Sequence, residues 1–322
     1  MKKITMLFLV LLIISCKSEK QGRIKEGKKY ANIPSKVLEK SVLAGGELIR
    51  VDSFPSKNIT PRPVDVWLPE NYSLEKKYAV LYMHDGQNLF DGTTTWNKQE
   101  WKIDEAASKL MNKGITKDFI VVGIHNIPEI RWQDLYPEKA MDFLSKEDRE
   151  AVYSKAKKNN FNIDLKGDAY LKFMVAELKP YIDYTYSVHI DKENTFVAGS
   201  SMGGLMSMYA VAEYPTVFAG GACFSTHWVG GTPEEDNPLP AAIFSYLETN
   251  LPAAKTHKMY FDYGSKTLDA YYPKYAPKVD SIFKKGGYTD ANYKNLFFEG
   301  TNHSELSWQK RVDFPLTFLL KK

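Results

Sequence analysis

The stretch TFVAGSSMGGLMSMYA, residues 195–210, sets two adjacent serines between glycines and follows them with small and large apolar residues. G-x-S-x-G fits Gly199, Ser200, Ser201, Met202 and Gly203. Only Ser201 therefore has a glycine two residues away on each side, since Ser200 would need glycine where Ala198 and Met202 stand. The spacing has a steric reason: a strand must turn sharply into a helix with the serine at the apex, and side chains at the flanking positions would collide. TFVAGS supplies an apolar strand before the turn and GGLMSMYAVAEY a helix after it, so Ser201 is the candidate nucleophile.

Outward from this turn, β-rich runs alternate with helical periodicity. GELIRVDSF and RPVDVWLP read as an opening strand pair, and YAVLYMH, DFIVVGIH, TFVAGS, GGACFS, KMYFDYG and NLFFEG as further strands. Most are continuous apolar runs, as strands covered on both faces require. Ile103, Ala106, Ala107, Leu110 and Met111 share one helical face, with Gly114 placed to end that helix, and Leu171, Met174, Val175 and Leu178 form a second stripe. The expected fold is α/β: a mostly parallel central sheet with an antiparallel N-terminal pair and helices on both faces. The long polar segment between His125 and Tyr170 has the length of a lid or binding loop.

A serine hydroxyl is a weak nucleophile at neutral pH, so a base and an orienting carboxylate must follow it in the chain. Of the six histidines, His84, His125 and His189 precede Ser201, and His227 and His257 follow it closely. His303, in EGTNHSELSW past the last strand, is the one that can return over the strand ends as the base. The acid belongs to the loop after KMYFDYG, where Asp269 is favoured and Asp262, inside the strand, is the alternative. Two backbone N–H groups should bind the developing oxyanion, one on Met202 and the other on Gln87 in MHDGQNLF.

Together YAVLYMHDGQNLFD, DFIVVGIHN with RWQDLYP, GSSMGGLMSMYAVAEYPTVFAGGACFSTHW, FDYGSKTLDAYY and EGTNHSELSW resemble an esterase family of α/β-hydrolases. That family includes feruloyl and acetylxylan esterases, siderophore esterases, S-formylglutathione hydrolases and mycolyltransferases. The likeness covers about residues 40 to 320 and implies an α/β-hydrolase fold with the triad on Ser201, Asp269 and His303. Many members carry the acid nearer the glycine of the turn, where this chain has Lys266 and Thr267. Acyl transfer from an ester is implied far more firmly than any particular substrate.

Trp101, Trp132, Trp228 and Tyr263 are expected around the site, where aromatic faces suit sugars or aromatic acyl groups. Each is as readily a core residue. Arg131 would bind a substrate carboxylate or pair with a local acid such as Asp134 or Glu129. No zinc spacing is present, and hydrolysis by a serine triad needs neither metal nor cofactor.

The N-terminus, MKKITMLFLVLLIISC, has a basic start and an apolar run too short to span a bilayer as a helix, and it ends in a lipobox-like IISC. Residues 1–15 are expected to be a lipoprotein signal peptide, Cys16 the lipidated first residue of the mature protein, 16–37 a flexible tether, and 38–322 the catalytic domain. Lys17 after the cysteine favours the outer over the inner membrane. Cys223, in an apolar run, reads as a buried thiol. Formal net charge is +4, and removal of Lys2 and Lys3 with the signal leaves 41 basic against 39 acidic residues. That balance gives no case for a nucleic-acid partner. The expected protein is an exported, membrane-anchored serine carboxylesterase acting on a small-molecule or glycan ester. Its rivals are a siderophore esterase, an acyltransferase, or a non-catalytic glycan-binding lipoprotein.

Overall fold

The computed structural model describes residues 30–322. The signal peptide, Cys16 and the first part of the tether lie outside the described residues. Among the described residues, nine strands form one sheet in the order β1-β2-β3-β5-β4-β6-β7-β8-β9. They are β1 Lys36–Val37, β2 Glu47–Phe54, β3 Arg62–Leu68, β4 Ala79–His84, β5 Phe119–Ile124, β6 Thr195–Ser200, β7 Gly220–Phe224, β8 Lys258–Tyr263 and β9 Tyr293–Phe297. The N-terminal strands β1, β2 and β3 run antiparallel to their neighbours, and every pairing from β5 through β9 is parallel.

Strand alternation sorts the core into two layers. Val80 and Tyr82 of β4, with Val122 and Val197, face one layer, whereas Leu81 and Met83, with Val121 and Ala198, face the other. The second layer is covered by α1 (Ile103–Asn112) and a C-terminal helix, Asp313–Leu320. In α1 the apolar face Ile103, Ala106, Ala107 and Leu110 is buried as its spacing predicts, and Gly114, at φ +67°, stops the chain by donating its N–H to the Met111 carbonyl at 2.9 Å. The first layer is covered by the long insertion between β5 and β6, by α4 (Met202–Glu213), and by helices Leu239–Asn250 and Ala276–Lys285. The insertion holds α2 (Lys146–Lys158), which has no buried residue. It also holds α3, which runs as Gly167–Phe173, passes through a π-helical turn at Met174–Leu178 and continues as Lys179–Thr185.

The folded domain begins before the expected boundary at residue 38. Tyr30 is buried, with its ring 6.0 Å from Tyr181 and 5.7 Å from Tyr184, and Lys36 and Val37 pair with Arg50 and Ile49. The chain is thus attached to the domain at Tyr30 and at Lys36–Val37, ahead of residue 38. Cys223 is fully buried, as its apolar surroundings predict.

Candidate active site

Strand β4 pairs with β5 on one side and with β6 on the other, so the chain reverses its direction of travel across the sheet there. Such a switch point opens a crevice at the carboxyl ends of the strands. The register Met83↔Ala198 brings the turns after β4 and β6 side by side. Ser201 sits at the apex between β6 and α4 with φ 58° and ψ −120°, a backbone conformation that a residue with a side chain adopts only under constraint. The flanking glycines are required: a Cβ on Gly199 would lie 2.8 Å from the Gly203 carbonyl, and one on Gly203 would lie 3.1 Å from the Cβ of His84. The Ser201 N–H donates to Phe224 O at 2.9 Å, which pins the apex to the end of β7. Ser200 is the last residue of β6 and is buried.

His303 reaches this crevice from the loop after β9. Its Nδ1 lies 2.6 Å from Asp269 Oδ1. Asp269 has no exposed surface, and its second oxygen, Oδ2, accepts from Gly264 N at 2.6 Å and from Ser225 Oγ at 2.7 Å. The Ser225 hydroxyl is itself held by two obligate donors, Trp308 Nε1 at 2.9 Å and Arg311 Nη2 at 2.8 Å, so its own proton must point at Asp269. Asp262 faces elsewhere. Its Oδ1 accepts from Arg311 Nη2 at 2.8 Å and Ser225 N at 3.0 Å, and its Oδ2 from the Tyr260 hydroxyl at 3.1 Å. Burial raises the Asp262 carboxyl, and the Arg311 guanidinium works against that shift. Of the two candidate acids, Asp269 alone meets the histidine.

Met202 opens α4, and Gln87 lies in the turn Gly86–Asn88 after β4, with Asp85 in the left-handed region at φ 58°. Gly86 is fixed there because a Cβ would stand 2.4 Å from the Gly123 backbone. Both N–H groups assigned to the oxyanion therefore belong to turns on adjacent strand ends, and Gln87 Oε1 also accepts from Asn126 N at 3.1 Å.

The substrate residues expected from sequence divide. Arg131 pairs with neither Asp134 nor Glu129: its Nε and Nη2 grip the two oxygens of Asp85, each at 2.7 Å, and Asp134 is taken by Arg62 at 2.8 Å. Burial would raise the Asp85 carboxyl, but Arg131 and the Asn126 amide outweigh it and hold the group low. Trp101 is only 2% exposed, its ring 4.7 Å from Phe224 and 5.2 Å from Trp308. It supports Trp308, whose ring meets His303 edge-on at 5.1 Å, and is a packing residue rather than a pocket wall. Trp228, 5% exposed, packs between Phe244 and Phe261. Trp132 does line a cleft, donating its Nε1 proton to Gly230 O at 2.9 Å and meeting Phe161 edge-on at 5.1 Å. This cleft of about 350 Å³ lies between α2 and the segment 231–239, with walls from Val152, Ile163 and Leu239, and the Lys155–Glu234 ion pair links its two sides. Tyr263 is half-buried, 5.2 Å from Phe297.

Several residues at the centre were not identified from sequence: Ser225, Arg311, Asp85 and the pair His227–Tyr272. His227 Nε2 donates to Gly231 O at 2.8 Å and Nδ1 lies 2.9 Å from the Tyr272 hydroxyl. Glu305 ties the His303 loop to the region after β4 by accepting from Asn97 Nδ2 at 3.0 Å.

The sequence profile of the family described as "Putative esterase" matches residues 59–314. The Bacillus subtilis protein YbbA, itself uncharacterized, is 24% identical over 269 residues, covering 81% of this chain and 93% of its own. Among solved structures, a CE1 ferulic acid esterase from the anaerobic fungus Anaeromyces mucronatus superposes with a TM-score of 0.57 at 18% identity, covering 87% of this chain and 94% of the other. An IroE-like serine hydrolase from Shewanella oneidensis does so with a TM-score of 0.57 at 16% identity, covering 88% and 78%. The chain belongs to this esterase family, and its fold is that of the α/β-hydrolase esterases. Its family makes it a hydrolase of carboxylic ester bonds.

Proposed function

We propose that this protein is an exported, lipid-anchored carboxylesterase that acts through an acyl-enzyme on Ser201. The observation that carries the reading is the Asp269–His303 contact of 2.6 Å beside a strained serine apex. Asp269 orients the imidazole and stabilises its charged form, so that Nε2 is free to take the Ser201 proton. Ser201 Oγ then attacks the acyl carbon, and the N–H groups of Met202 and Gln87 stabilise the resulting oxyanion. Collapse expels the alcohol, which receives the proton from His303. Water, deprotonated by His303, then attacks the acyl-enzyme and releases the acid.

The substrate class favoured is an acylated carbohydrate with an aromatic acyl group. A cleft walled by Trp132 and Phe161 suits an aromatic ring, and one structural neighbour is a ferulic acid esterase. Residues 1–15 act as the signal peptide, Cys16 carries the lipid, and Lys17 directs the protein to the outer membrane. Two experiments test the proposal. A fluorophosphonate probe should label the wild type and Ser200→Ala but not Ser201→Ala, and labelling of Ser201→Ala would refute the assignment. Radiolabelled palmitate should enter the wild type and not Cys16→Ala. On a panel of p-nitrophenyl acetate, acetylated xylan, methyl ferulate and a catechol siderophore ester, turnover of the last alone would replace the carbohydrate reading by the siderophore one.

A further inference from the structure

Two buried side chains beside Ser201 have no part in the triad, and their hydrogen-bond logic is determined. Gly231 O can only accept, so the proton of neutral His227 resides on Nε2, 2.8 Å away. Nδ1 is then bare and must receive the Tyr272 hydroxyl proton across 2.9 Å. Burial lowers His227 to about 4, which keeps it in this neutral form at neutral pH, and burial likewise holds the Tyr272 phenol protonated. The Tyr272 oxygen therefore offers only lone pairs to the site. The Ser201 hydroxyl is near enough to that oxygen to favour its charged form slightly, against the larger effect of burial. Its ring also stands 6.0 Å from that of His303. The position is rigid, because Tyr272 N donates to Asp269 O at 3.0 Å and His227 N donates to Ser201 O at 3.2 Å.

Acylation removes the Ser201 proton, and the Tyr272 oxygen, whose own proton is committed to His227, is left with a lone pair to offer. We propose that Tyr272, locked as an acceptor by His227, positions the deacylating water and so favours hydrolysis over transfer to an alcohol. Water has two O–H groups. One gives its proton to His303 Nε2 as the oxygen bonds to the acyl carbon, and the other is held by Tyr272. The tetrahedral adduct then breaks its bond to Ser201 Oγ, which takes back the proton from His303, and the free acid leaves. Tyr272 transfers no proton. An alcohol spends its single O–H on His303 and gains nothing from Tyr272.

This inference rests on the acyl-enzyme reading above, and the test separates the two. The full-length protein and Tyr272→Phe would turn over p-nitrophenyl acetate in the presence of methanol, with methyl acetate and acetate both quantified. Loss of one hydrogen bond from the hydrolytic arm alone should raise the methyl acetate to acetate ratio about fivefold in the variant. The ratio arises within each turnover, so a smaller folded fraction of Tyr272→Phe leaves it unaffected. An unchanged or lowered ratio, with an acetyl adduct still trapped on Ser201 of the wild type, overturns the role of Tyr272 alone. Absence of any acyl-enzyme in the wild type overturns both.

Discussion

Replacing Asp269 by asparagine should abolish most of the turnover for a reason that the surrounding donors fix in advance. The Oδ2 position of Asp269 receives the Gly264 N–H and the Ser225 O–H, and the latter cannot rotate away because Trp308 and Arg311 occupy the lone pairs of Ser225. An asparagine must therefore place its carbonyl oxygen there and its NH₂ at the Oδ1 position, 2.6 Å from His303 Nδ1. The NH₂ donates to Nδ1, the ring proton moves to Nε2, and Nε2 can no longer accept from Ser201. A tautomer trapped in this way lowers turnover by about ten-thousandfold in a protease triad, equivalent to about 5 kcal/mol in the barrier. Asp262→Asn should behave oppositely, because it removes the carboxylate charge 2.8 Å from the buried Arg311 and leaves that guanidinium only the longer 3.9 Å carboxylate contact with Asp269. About 3–5 kcal/mol of stability should be lost while kcat of the folded fraction falls by less than tenfold. The assay is kcat for p-nitrophenyl acetate beside a thermal melt of each variant. An Asp269→Asn enzyme within tenfold of wild-type kcat would refute the reasoning.

Other expectations follow from particular contacts. Gly199→Ala should destabilise the fold and suppress fluorophosphonate labelling together, since its Cβ would meet the Gly203 carbonyl at 2.8 Å; a stable, labelled variant would remove the steric account of the turn. Trp101→Ala should cost about 3–5 kcal/mol in denaturant unfolding, as deletion of a buried aromatic does, without raising KM for small esters; a raised KM at full stability would restore it to the substrate site. Phe161→Ala should raise KM for methyl ferulate and leave p-nitrophenyl acetate unaffected, and equal effects on both would separate the cleft from acyl recognition. Burial pushes the Asp104 carboxyl up from 3.8 to about 7. The folded state thus holds that proton more tightly than the unfolded chain, and the stability this contributes at low pH is lost as pH rises from about 4 to 7. Asp104→Asn cannot ionise, so its melting temperature should gain on the wild type across that interval, and a constant difference would refute the shift.

What the sequence made legible was local or ordered along the chain. Ser201 could be singled out as the candidate nucleophile because the flanking glycines of a tight turn lie within two residues of it, and His303 as the candidate base because the loop after the last strand leads back to the same end of the sheet. The supporting network left no such trace. Arg131 meets Asp85 across 46 positions and Arg311 meets Ser225 across 86, and nothing in either neighbourhood encodes its partner. An arginine beside Glu129 and Asp134 pointed to the wrong acid for that reason. Trp101 failed for a different one: a tryptophan that closes a core and one that lines a pocket have the same local sequence, and only burial separates them. The boundary at residue 38 fell late because a strand of two residues, Lys36–Val37, is too short to show alternation.

The same division bears on specificity. The cleft between α2 and residues 231–239 is built from the insertion after β5 and from a loop beyond β7. Ser201, Asp269 and His303 come instead from the ends of β6, β8 and β9, and the two regions communicate through His227, whose backbone touches Ser201 and whose ring is tied to Gly231. Helix α2 buries none of its residues fully and packs against the core through Val152, so the rest of its sequence is free to change at little cost to the core. A substitution on α2 should therefore alter which acyl group is accepted, with little effect on reaction with p-nitrophenyl acetate. One at His227 should disturb both, since its ring holds Gly231 of the cleft wall and its backbone holds Ser201.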